Sequence, residues 1–73
     1  MVAEEILETA KQEAIRGIER AESTHAKIAW WYTHVGGIEM TKFLGHITEE
    51  RRAELMEEWK QVKRNMITHA PRS

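Results

Sequence analysis

Leu7, Ala14, Ala21, Ile28 and Val35 stand seven residues apart, and no other feature of the chain narrows the possible folds as much. A seven-residue apolar repeat keeps one stripe of an α-helix turned toward the same neighbour over successive turns. Ile18, His25 and Tyr32 flank this line on one side, and Ala10, Gly17, Thr24 and Trp31 on the other. The spacing predicts a first helix over about residues 3–35, roughly 50 Å long at 1.5 Å per residue. Glu4, Glu5 and Glu8 fall in its first turns, where acidic side chains complement the positive end of the helix dipole. Ala10, Ala14, Gly17 and Ala21 form a small-residue edge that lets a second helix approach closely.

Residues 28–45 differ from the sequence on either side. They hold two of the three tryptophans, the only Tyr, the only Phe and three of the four glycines, and their only charged residues are Glu39 and Lys42. Gly36-Gly37 offers the left-handed backbone angles that end helices, so this stretch reads as an apolar elbow. An elbow with a short helix is expected over about 36–47, with Ile38, Met40, Phe43 and Leu44 as apolar contacts and Gly45 as its stop. Thr48 followed by Glu49 and Glu50 is an N-cap with acidic first-turn residues, preceded by Ile47 as half of a hydrophobic staple. A second helix should then run over about 48–68, with Ala53, Leu55, Met56, Trp59, Val62, Met66 and Ile67 as its stripe. Glu dominates its first half and Lys60, Lys63 and Arg64 its second, again matching the dipole. Pro71 prevents further helix, leaving 69–73 as a tail. The fold class expected is all-α, a helical hairpin of two antiparallel helices.

Seventy-three residues make a single domain with a small core. Cysteine is absent, which removes disulfides and thiolate metal sites, so self-association is the simplest source of further buried surface. The expected assembly is a homodimer of hairpins forming a four-helix arrangement. Its seam would be Leu7, Ala10, Ala14, Gly17, Ala21 and Ile28. A monomeric three-helix bundle closed by the short central helix is the alternative. The start of the sequence resembles no secretory signal, and the apolar stretch is too short and Gly-interrupted to span a bilayer. A cytoplasmic location without membrane contact is expected.

For function, Trp30-Trp31-Tyr32 is the most unusual local feature. Consecutive helical residues project about 100° apart, so the three cannot all enter one groove, and Trp and Tyr are common binding hot spots. The expectation is a small protein-binding module, acting as adaptor, regulator or inhibitor, as such short chains do in bacteria and their phages. Trp30, Trp31, Tyr32 and Phe43 would be its apolar anchors, with Glu57, Glu58, Lys60 and Arg64 as a polar rim. The runner-up is a metal-binding four-helix dimer. It rests on the Glu-x-x-His spacing of Glu22 and His25, which puts a carboxylate and an imidazole on one helix face, with Glu54 or Glu58 completing the set. His34, His46 and Glu39 surround the elbow without a recognised ligand spacing. A nucleic-acid regulator is the third reading, and the net charge of -1 argues against it. So does the interleaving of Arg51, Arg52, Lys60, Lys63, Arg64 and Arg72 with glutamates. No cofactor is called for, and with no Cys and only Ser23 and Ser73 as serines, no nucleophilic machinery suggests an enzyme.

Overall fold

The computed structural model describes residues 2–67, so the expected tail over 69–73 and the last residue of the expected second helix lie outside the described residues. The protein is all-helical, and no strand occurs among the described residues. Three helices follow one another: α1 over Ala3–Arg20, α2 over Thr24–Phe43 and α3 over Glu49–Met66.

The first break therefore falls at residues 21–23 and not at Gly36-Gly37, which corrects the long first helix over 3–35. Ala21 is extended, and its N–H still donates to the Gly17 and Ile18 carbonyls, closing α1. Lys27 reaches back from α2 and donates from Nζ to the Ile18 carbonyl at 2.8 Å, satisfying one of the acceptors a helix end leaves open. Ser23 then caps α2, its hydroxyl accepting from the Ala26 N–H at 3.1 Å. The apolar line of sevens crosses this corner but cannot prevent it, because a seven-residue spacing is also kept by two helices that share a core.

Both Gly36 and Gly37 lie inside α2. A glycine there costs about 1 kcal/mol relative to alanine. That cost is offset by packing on either side, since Trp31, His34 and Ile38 are all buried at positions i, i+3 and i+7 of one stripe that spans the glycine pair. The true terminator is Gly45, the one glycine with positive φ (85°). Its N–H donates to the Lys42 carbonyl and that of His46 to Thr41, the paired bonds of a Schellman ending. Thr48 caps α3, its side-chain oxygen accepting from the Arg51 N–H at 3.0 Å.

Packing then places α2 between the other two helices. Gly17 of α1 lies against Trp30 of α2, and Ala10 and Ala14 share a groove with Thr33 and Gly37, so α1 and α2 run antiparallel. On its other side α2 meets α3, where Trp31 lies against Trp59 and Glu39 against Arg52, again antiparallel. The core consists of Leu7, Ala14, Ile18, Trp31, Ile38 and Trp59, with Ile15, Val35, Leu55, Met56, Val62 and Met66 among the partly buried side chains packed on it. Leu7, Ala14 and Gly17 are thus buried within the chain, and cannot line a seam with a second copy. Ala10, Ala21 and Ile28 are half-buried. No helix among the described residues is long and apolar enough to cross a membrane.

Candidate functional site

The three consecutive aromatics divide as helical geometry requires. Trp31 is core: it is 4% exposed, and its Nε1 donates to the Trp59 carbonyl at 2.8 Å while Trp59 Nε1 donates to the Trp31 carbonyl at the same distance. The two indoles lie parallel, 4° between planes, with centroids 6.2 Å apart. This reciprocal pair satisfies both indole donors where they are desolvated and fixes the register of α2 against α3. Trp31 is accordingly not available as an anchor for a partner. Trp30 instead lies across α1, where a Cβ built on Gly17 overlaps the indole ring. Gly17 does serve close packing, against a side chain of its own chain. Tyr32 is exposed, edge-on to Trp31 at 4.9 Å. Lys63 Nζ stands 4.9 Å from the Trp31 ring centroid and 5.8 Å from that of Tyr32, within cation–π range.

His34 closes the core beneath this pair. Its ring stands edge-on to Trp59 at 4.6 Å, and its Nδ1 is buried with no hydrogen-bond partner. Burial holds the imidazole below its ordinary value of 6.5, Lys11 on α1 adds to that effect, and Glu8 opposes it. The unfolded chain therefore takes up this proton before the folded one does, so stability is full above about pH 6.5 and falls as pH drops below it. Urea midpoints measured through this window should decline in the wild type, and His34→Leu should remove that decline. Glu4, Glu8 and Glu49 are also held low, by hydrogen bonds chiefly from Arg51, Gln12 and Arg52 in turn, relative to an ordinary 4.5. Their contribution is lost only below about that pH, which keeps the two windows apart.

Glu22 and His25 do not share a helix face. Glu22 lies in the corner before α2, His25 in its first turn, and both are exposed. The Glu-x-x-His geometry presupposed an unbroken helix through 22–25, and the corner removes it. Among the described residues no three His, Cys, Asp or Glu stand close enough to hold a metal ion. The basic residues of α3 are engaged as the charge pattern suggests: Arg51 grips Glu4 through two bonds of 2.8 Å and also Glu54, Arg52 bonds Glu49 and Glu39, and Lys60 pairs with Glu57. Glu57, Glu58 and Arg64 are exposed but lie roughly 100–160° around α3 from Trp59, which points into α2. The fold does not bring them to Phe43 as a rim.

What the fold does assemble is the outer face of α2. Ala29, Tyr32, Thr33, Gly36, Met40 and Phe43 are all exposed and fall within an arc of about 100°. Tyr32 is 54%, Met40 55% and Phe43 81% exposed. The arc carries no charged residue, and one of its two hydroxyls is satisfied internally, Thr33 donating to the Ala29 carbonyl at 2.9 Å. Nothing lies within 4 Å of a Cβ built on Gly36. No protein-family model, curated protein or solved structure matches the chain. The arc's chemistry thus stands on its own: it can bury apolar surface against another macromolecule. Sequence reasoning found Tyr32 and Phe43 but missed Met40 and Gly36 as members of one face, because it ended the helix between them.

Proposed function

We propose that the protein is a small cytoplasmic binding module that presents the outer face of α2 to another protein, as an adaptor, regulator or inhibitor, without catalysis or cofactor. The observation that supports this reading is the combination at Gly36. A mid-helix glycine is kept at a position where no atom of the chain needs the space, at the centre of an uncharged arc whose exposed side chains include a Tyr, a Met and a Phe. Exposed apolar surface that is contiguous marks contact sites, and a glycine at its centre allows a partner's backbone to come near. Trp30 is not central to this face and serves mainly to cover α1.

Photocrosslinking tests the reading in the cell. With a benzoylphenylalanine in place of Phe43, irradiation should give a discrete protein adduct, and the same probe in place of Glu57, on the far side of α3, should give none. Equal labelling from the two positions, or no adduct from position 43, contradicts it.

A further inference from the structure

The face that serves as the proposed binding surface is also complementary to itself, and from this, resting on that reading, we infer that until the other protein binds its occupant is a second copy of the chain, docked antiparallel with a two-fold axis passing beside Gly36. Such an axis sets each residue at the height of the one equally far from Gly36 in the other direction. Met40, four residues after it and on the edge toward α1, comes level with Tyr32 of the other copy, four before and on the edge toward α3. Phe43, the most exposed large apolar side chain among the described residues, comes level with Ala29, the smallest residue of the arc apart from the glycine. The two backbones therefore come nearest where neither carries a side chain.

Charge agrees with shape. Along the edge that α2 shares with α3, Glu39 lies three residues after Gly36, and its carboxylate is held by Arg52 at 3.1 Å. On the same edge, four residues before Gly36, the ammonium of Lys63 stands over the Tyr32 ring. An axis in the plane of the interface and perpendicular to α2 keeps like edges together while reversing direction. It therefore brings Glu39 of one copy to Lys63 and Tyr32 of the other, twice. The arc between holds no charge that burial would leave unpaired, so the apposition avoids the penalty that a heterologous charged partner would meet there. A 20-residue helix is about 30 Å long, and one helix pair covers less than the roughly 800 Å² per partner of a standard interface. The association is accordingly weak and dependent on concentration.

Sedimentation velocity on the purified full chain, from dilute solution up to about 1 mM, where even a dimer with a Kd of about 1 mM is half formed, decides the matter. The wild type should shift from monomer to dimer across this range. Gly36→Leu, whose Cβ would stand in open space, should remain monomeric with unchanged helicity by circular dichroism. Glu39→Lys and Lys63→Glu should each weaken the dimer about tenfold or more, because each sets like charges against one another. An equimolar mixture of those two variants should restore it, since every Lys then faces a Glu across the axis. A wild type that stays monomeric throughout, a dimer indifferent to Gly36→Leu, or a mixture that fails to recover overturns the inference. A monomeric protein that still gives a single foreign adduct from position 43 in cells overturns the second copy as occupant while leaving the binding module standing. Absence of both removes the module as well.

Discussion

Trp59→Ala unfolds the protein, whereas Trp30→Ala leaves it folded. Trp59 is 1% exposed and is the only fully buried side chain α3 contributes. It stacks on Trp31, carries the edge of His34 and donates to the Trp31 carbonyl. Removing such a side chain costs about 3–5 kcal/mol, comparable to the whole stability of many small domains. Trp30 is 41% exposed and takes part in no reciprocal bond, so its loss uncovers Gly17 without opening the core. Far-UV circular dichroism and urea titration read both. Trp59→Phe separates packing from hydrogen bonding: it keeps most of the ring, loses one donor and should cost about 1–3 kcal/mol. A cooperative transition near that of the wild type in Trp59→Ala would mean that α3 is not held by this pair.

Alanine at two glycines should shift stability in opposite directions. Both Gly17 and Gly36 are helical, so alanine gains about 1 kcal/mol of helix propensity at either position. At Gly36 nothing opposes the gain, because the new methyl meets open space, and dilute Gly36→Ala should be about 1 kcal/mol more stable than the wild type. At Gly17 the methyl overlaps the Trp30 indole, and overpacking of this kind costs about 1–3 kcal/mol, so Gly17→Ala should be the less stable protein. The interaction is specific enough for a double-mutant cycle: in a Trp30→Ala background the penalty should vanish and Gly17→Ala become stabilising. Urea denaturation of the five proteins checks the set, and a destabilised Gly36→Ala would show that its space is filled within the chain.

How far the sequence revealed this structure depends on which signals compete. Thr48 with Glu49 and Glu50 was legible because a cap and acidic first turn act locally, and the bond from Arg51 N–H to Thr48 is what that pattern implies. The corner at residues 21–23 was not. Ser23 is an ordinary N-cap residue, but Leu7, Ala14, Ala21, Ile28 and Val35 continue their spacing across it, and periodicity outweighed one serine. The reverse error arose at Gly36-Gly37, where helix-breaking propensity is weaker than the burial of Trp31, His34 and Ile38 around it. That stripe was present in the sequence, and it is the signal that could have shown α2 to be continuous. With the corner hidden, the spacing makes Trp31 an anchor where the fold makes it core, and sets Glu22 and His25 on one helix where the chain breaks between α1 and α2. Met40 and Gly36 could not be joined to Tyr32 and Phe43 until the helix was known to run through them. The reciprocal bonds between Trp31 and Trp59 join residues 28 apart, a contact no local pattern encodes.

The central claim is that α2 is one helix whose outer face is continuous from Ala29 to Phe43. Backbone carbon chemical shifts from NMR of the full chain test it residue by residue. Shifts for Val35, Gly36, Gly37 and Ile38 should all be helical, and those of Ala21, Glu22 and Ser23 should fall to extended values. Helical shifts running unbroken through Ser23, with loss of helix at Gly36 and Gly37, would restore the long first helix, split the face in two and contradict the account.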